Sequence, residues 1–204
     1  MSKKRHDSRY KKFFSNKDNF RNLLQNFVDV EIIKDLDFST LERMDKSFVS
    51  EKFSDSESDL IYRLEYRGRD LFVVVLLEFQ STIDHRMPLR LLAYEMQFYL
   101  SLPDIEKLCR NRSLPEILPI VLYNGDVKWI GAVSIEELFG GGCRLKKFIP
   151  EFRYYLISEN EFSEDVLLNI KNAVSALFYM ENSEVGELLN KSEAIFELLR
   201  SENP

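Results

Sequence analysis

The spacing of apolar residues changes several times along this chain, and each change predicts an element. Near the start, Asp7 followed by SRYKKFF predicts a short helix. Ser15 with Asp18 three residues later, ahead of NFRNLLQNFV, predicts a second helix opened by a capping box. Phe20, Leu23, Leu24 and Phe27 then fall on one helical stripe, which marks a core-facing side. Residues 29–45 are mixed, with a helical turn expected at 31–36 and a short extended piece at 41–44; 47–50 reads as a first strand and SDSES at 54–58 as a polar loop.

The clearest pattern covers 59–80. DLIYRLEY alternates, with Leu60, Tyr62, Leu64 and Tyr66 on one side, and after RGRD comes LFVVVLLEFQ, a nearly continuous apolar run expected of a central strand covered on both faces. Together they predict a hairpin. A helix is expected from Met87 to Leu102, stopped before Pro103, and ILPIVLYNGD at 117–126 reads as a strand closed by an Asn-Gly turn. A short helix at 135–139, a last strand at 152–158 and helical patterns at 162–179 and 185–199 complete the order. The alternation of strands and helices predicts an α/β domain over 1–158, with acidic helices over 159–204 packed on it or appended to it.

Composition narrows the class. The chain has 204 residues, of which 45% are hydrophobic and 13% aromatic, enough to bury a full core. No run of about 18 apolar residues occurs and the N-terminus is basic, which points to a cytoplasmic protein without a membrane span. Cys109 and Cys143 stand far apart, with no zinc-type spacing. A net charge of −6 argues against a polyanion partner until it is divided. Residues 1–22 hold eight Lys/Arg against two Asp, so +6 lies there and −12 in the remainder. Arg144, Lys146, Lys147 and Arg153 form a second basic cluster. Such segregation allows a phosphate-facing side on an acidic protein, although solvated arms share this pattern.

The candidate chemistry sits on the hairpin. A two-residue Gly68-Arg69 loop would pair Arg67 with Asp70 and set Asp59 directly opposite Glu78, with Gln80 two residues further on the same face. Two carboxylates and an amide beside an apolar surface suit a hard divalent ion, Mg²⁺ or Mn²⁺, which would relieve the repulsion between the acids. On hairpin geometry alone, the plainer alternative is favoured: Asp59 in solvent and Glu78 paired with Arg63 or Arg90.

The order strand-Asp59, hairpin, strand-Glu78-x-Gln80, then a helix bearing Arg90 and Tyr94 resembles the PD-(D/E)xK nuclease superfamily. More narrowly, the chain resembles the recombination-promoting nucleases, also described as YhgA-like transposases. The matching residues are His6, Asp7, Tyr10 and Lys11; Ser58 to Tyr62; Leu77 to Thr82 with Asp84; Met87 to Arg90 with Tyr94; and Pro119 to Gly125 with Trp129. The resemblance covers about residues 5–158. The resemblance implies a restriction-endonuclease-like core, a mixed sheet flanked by helices, and Mg²⁺-dependent (or Mn²⁺-dependent) endonucleolytic cleavage of DNA in support of recombination and mobile elements. By the same resemblance Asp59 and Glu78 are metal ligands and, with Gln80, the catalytic set. Gln80 stands where the superfamily usually has lysine; an amide can orient the attacking water but supplies neither positive charge nor a base. Lys11, Arg90 and Tyr94 are candidate DNA contacts, with a solvated helix face for Lys11 and a helix-stabilising Arg–Tyr pair as their plainer readings. A catalytically silent DNA-binding or regulatory remnant of a transposase-associated protein is the alternative function, and a partner-binding module using the acidic C-terminal helices, with a homodimer as one form, is a third.

Overall fold

A computed structural model describes residues 3–44, 60–78, 83–140, 144–184, 186–188 and 190–200, with the backbone alone described at 3–8, 74–78 and 200. Among the described residues, five strands form one mixed sheet in chain order: β1 (Leu36–Met44), β2 (Leu60–Tyr66), β3 (Arg69–Glu78), β4 (Glu116–Tyr123) and β5 (Tyr155–Ser158). Strands β1, β2 and β3 are antiparallel neighbours, whereas β3, β4 and β5 run parallel. Helices cover both faces, so the fold is the α/β class with a flanked mixed sheet that the resemblance implies, consistent with a PD-(D/E)xK-like core.

Alternation along the strands builds two apolar layers. Leu60, Tyr62 and Leu64 of β2, Leu71 and Val73 of β3, and Ile120 and Leu122 of β4 bury one face. That face is closed by α1 (Lys3–Phe14), α2 (Lys17–Phe27), α5 (Glu164–Ile170), α6 (Ala173–Glu181) and α7 (Ser192–Arg200). The stripe of α2 is buried as its spacing predicts, and Phe20 stacks on Tyr62 with ring centroids 3.8 Å apart. Leu167, Val174, Phe178 and Leu198 join the same core, so the acidic C-terminal helices contribute their apolar sides to it. On the other face α3 (Met87–Ser101) packs through Met87 and Leu91 against Val121, Tyr123, Trp129 and Tyr154. Tyr94 and Phe98 of α3 pack against Ile61 and Phe72. The short helix α4 (Ile105–Asn111) leads from α3 into β4.

Several expectations change in detail, each for a local reason. The N-cap of α2 is Asn16, whose side chain accepts from the Asp18 and Asn19 amides, while the Ser15 hydroxyl bonds back to the Lys11 carbonyl in α1. The piece expected at 41–44 is the end of a longer β1. Its register jumps between Asp37 and Glu42, where Asp37 accepts from Ser39 and the Thr40 hydroxyl meets the Asp37 carbonyl, so alternation is broken where it was read. The helix expected over 162–179 is interrupted at Lys171, which has φ of 54°, and restarts with a capping box between Asn172 and Ser175. The readings at 47–50 and 54–58 lie outside the described residues.

The hairpin register is the main correction. Tyr66 pairs with Arg69, and each β2–β3 pair adds to 135, as Leu60 with Val75 does, where a Gly68-Arg69 loop had implied 137. The loop is Arg67-Gly68, with φ of 49° and 74°. Both central residues are left-handed, the condition of a type I′ turn, which favours glycine second. Arg67 carries the conformational cost while its guanidinium reaches Asp35 at 2.8 Å. A shift of two residues leaves every side chain on its own face, so the hydrophobic pattern could not separate the two registers. The direct opposition of Asp59 and Glu78 rested on the other register and loses that basis.

Candidate active site at the carboxyl edge of the sheet

In open sheets, ligands bind outside the carboxyl ends of parallel strands. Here Glu78 of β3 pairs with Tyr123, the last residue of β4, which pairs with Ser158, the last of β5. Glu78 is positioned by its backbone, and Asp59 and Gln80 lie outside the described residues. Among the described residues, no group of three or more His, Cys, Asp or Glu could hold a metal ion.

The side chains named as possible DNA contacts have distinct environments. Lys11 lies half-buried on α1. Arg90 is half-buried and donates to Asp84 at 2.9 Å, while the Tyr94 ring is buried with Ile61, Phe72 and Phe98. Asp84 also accepts from the backbone and guanidinium of Arg86 at the start of α3. Burial alone would raise the Asp84 pKa, but the Arg86 amide and the two guanidiniums hold it below the usual carboxylate value. Arg63, the other partner considered for Glu78, is paired with Asp70 at 2.8 Å and with Glu42 at 3.5 Å.

Beyond the ends of β4 and β5 lies a buried polar cluster that the sequence reading missed. The Tyr10 hydroxyl donates to Glu159 at 2.9 Å, and the Asn124 amide donates to the Tyr10 oxygen at 2.7 Å and to the same Glu159 oxygen at 3.2 Å. Asn182, at the end of α6, donates to the Glu159 backbone carbonyl at 2.8 Å. Glu159 is 1% exposed, and its second carboxylate oxygen, Oε1, has no partner among the described residues. Burial pushes its carboxyl well above the ordinary value, the bonds from Tyr10 and Asn124 oppose that only in part, and the nearby Glu181 adds to the rise. Tyr10 is held protonated by its own burial and by the same two acids. An open cleft of about 450 Å³ adjoins the cluster, lined by Asn124, Asp126, Glu159, Glu181 and Asn182 among others.

This cluster explains the Tyr123-Asn124-Gly125 run. The strand ends there as expected, but β4 continues to a parallel partner, so no hairpin forms. A side chain at position 125 would put its first carbon 2.0 Å from the Tyr123 hydroxyl, so glycine makes room for that ring while Asn124 turns inward. The one available signal was that Tyr10 and Asn124 each belong to a run matching the resembled family. Glu159 carried no such mark. A cavity of about 620 Å³ lies at the opposite end, against Arg69, Phe72 and Glu116 at the starts of β3 and β4, away from Glu78.

Comparison with known proteins follows the same direction. Residues 4–203 match the family described as "Putative transposase, YhgA-like". The chain is 31% identical over 124 residues to recombination-promoting nuclease RpnD of Escherichia coli O157:H7, covering 59% of this chain and 45% of that protein. It is 28% identical over 124 residues to recombination-promoting nuclease RpnC of Escherichia coli K12, covering 59% and 39% respectively. It is also 33% identical over 95 residues to "Putative inactive recombination-promoting nuclease-like protein YjiP" of Escherichia coli K12, covering 45% of this chain and 88% of that protein. The matches to the two active-named relatives thus span less than half of their length. No solved structure matches the chain significantly. Among the described residues, no helix is long and apolar enough to cross a membrane.

Proposed function

We propose that this chain, which belongs to the YhgA-like family, is a metal-dependent DNA endonuclease that hydrolyses phosphodiester bonds and promotes recombination, including that of mobile elements. The observation that carries the reading is the alignment of Glu78 with the carboxyl ends of β4 and β5, in a chain whose relatives are named recombination-promoting nucleases.

In this reading Asp59 and Glu78 hold Mg²⁺ or Mn²⁺, to which oxygen donors are suited. The metal, when bound, polarises a phosphoryl oxygen and acidifies a water. Gln80 orients the attacking water through its amide, with no capacity to take its proton. Lys11 and Arg90 contact phosphates, and Tyr94 supports Arg90 from the adjacent helix turn. The protein acts in the cytoplasm.

The test is plasmid nicking with and without Mg²⁺ by wild type, Asp59→Ala and Glu78→Ala. Cleavage by the wild type alone, dependent on metal, is expected. Equal cleavage by all three would overturn the assignment. A second reading, a silent DNA-binding remnant, is favoured by one observation: this chain covers 88% of a relative named as inactive. DNA affinity without any metal-dependent cutting would select it.

A further inference from the structure

Between β4 and β5 the chain carries a surface that the proposed cleavage chemistry does not use. Phe148 is 82% exposed and Leu145 65%, and Arg144, Lys146 and Lys147 beside them are exposed as well. Residues Lys146–Phe148 form a single 3₁₀ turn, in which the Phe148 amide donates to the Leu145 carbonyl at 2.9 Å and the Ile149 amide to the Lys146 carbonyl at 3.2 Å. Leu145, the residue before the turn, and Phe148, its last residue, are thus both exposed, with the two lysines between them.

The cations here stand without ion-pair partners among the described residues, although Glu136 and Glu151 line the same pocket as Lys146 and Lys147. From Leu138 to Pro150 the sequence contains no acid. Arg144, Lys146 and Lys147 make no ion pair or side-chain hydrogen bond among the described residues. Their neighbours on the same connection differ: Arg153 is paired with Glu137 and Lys128 with Glu161. The turn therefore presents an aromatic ring flanked by three cations open to solvent, on a protein that is acidic overall.

We propose that this turn is a docking platform for single-stranded nucleic acid, with Phe148 stacking on an unpaired base and Arg144, Lys146 and Lys147 meeting the flanking phosphates. Aromatic rings interleaved with cations are the recurring means of holding a single strand, because every unpaired base has a free face. A duplex hides those faces within its stack, so it engages the cations but not the ring. A second copy of the chain is a poorer occupant. Burying two such side chains removes a few hundred Å² at about 150–250 Å² for an aromatic, short of the roughly 1,000 Å² of a stable interface, and lysine is depleted at interface cores. The platform deepens the nuclease reading by naming the form of nucleic acid that reaches it, and it rests on that reading for its biological use alone.

The experiment is fluorescence anisotropy with the full chain in EDTA, using a labelled single-stranded oligonucleotide of mixed sequence and the matching duplex across a salt series. Wild type is expected to bind the single strand more tightly. Phe148→Ala should lower single-strand affinity about tenfold with little effect on the duplex, and Phe148→Trp should restore it. Lys146→Ala with Lys147→Ala should reduce the single-strand salt slope by roughly 1.4, at about 0.7 for each phosphate contact. Unchanged single-strand affinity in Phe148→Ala, or an equal loss on both forms, would overturn the platform. So would a change of particle mass in that variant with oligonucleotide binding intact, which would assign the ring to contact between copies. Cleavage is scored separately with Mg²⁺ and Glu78→Ala. Binding through Phe148 without any cutting would leave this inference standing and remove the nuclease reading, whereas cutting with Phe148-independent binding would do the reverse.

Discussion

The two ends of the parallel strands handle charge in opposite ways. At the starts of β3 and β4 the charged groups remain near water: Arg63 and Asp70 form a 2.8 Å pair with side chains 39% and 43% exposed, next to the open cavity at Arg69 and Glu116. At their far ends a carboxylic acid is taken wholly out of water and met by two neutral donors, Tyr10 and Asn124. The first arrangement costs little and contributes little, because exposed pairs trade solvation for a screened attraction. The second is expensive, since no cation compensates the acid and one of its oxygens has no partner among the described residues. A fold tolerates such a group where several segments must be fixed together, and here α1, the end of β4, the end of β5 and the end of α6 meet on one residue.

The comparison breaks most visibly at Glu159. At pH 4, where the carboxyl is protonated in the folded protein and largely so in the unfolded chain, Glu159→Ala should cost about 3 kcal/mol by stranding the Tyr10 hydroxyl and the Asn124 amide beside a void, read by urea unfolding. Glu159→Gln keeps an accepting oxygen for both donors and should cost only about 1 kcal/mol there. Because the folded pKa is raised, the stability that the protonated acid contributes is complete below the unfolded value near 4.3 and declines as pH rises toward the folded pKa. Wild type should therefore lose about 1.4 kcal/mol per pH unit relative to Glu159→Gln through that window. Parallel pH profiles for the two proteins would show that the carboxyl is not held protonated.

At the adjacent residue pair, Gly125→Ala tests whether the carboxyl edge is as closely packed as the hydrogen bonds imply. The added carbon would lie 2.0 Å from the Tyr123 hydroxyl, and that ring is wedged edge-on against Trp129 at 4.9 Å. Displacing it should cost about 2 kcal/mol, in the range of overpacked cores, lowering the melting temperature by several degrees. An unchanged melting temperature would mean that the ring can swing out freely.

How much of this was legible follows from what each signal measures. Periodicity reports which face a residue occupies, and on that basis the stripe of α2, the alternation of β2 and the buried β4 were readable from Phe20, Leu60 and Ile120 onward. It does not report register. The choice between two ladders differing by two residues was made by Arg67 and Gly68, whose left-handed pair closes the loop one residue earlier than Gly68-Arg69 would. Short polar side chains were misread when they serve two segments, as when Asn16 caps α2 while Ser15 finishes α1. Of the candidate site, Glu78 could be located on the strand that the hairpin pattern gave it. Glu159 could not, since a single glutamate after a short strand looks like solvent-facing sequence, and only Tyr10 and Asn124 arriving from 149 and 35 residues away make it otherwise.

The opposite end supplies the smallest effect and the sharpest contrast. Arg63→Ala removes the pair with Asp70 and the longer contact with Glu42, leaving both acids free to regain water. The Arg63 pKa is raised, first by its bond to Asp70, but the guanidinium is more than a third exposed, so solvent screening discounts that shift. The loss should be about 0.5 kcal/mol at low salt and should vanish toward 1 M salt, where the screening length falls to about 3 Å. The cost of Glu159→Ala, arising from stranded neutral donors and a void, should keep its size across the same salt series. If Arg63→Ala instead cost several kcal/mol independent of salt, the starts of β3 and β4 would depend on their charges as heavily as the far ends depend on Glu159, and the division of labour between the two edges would not hold.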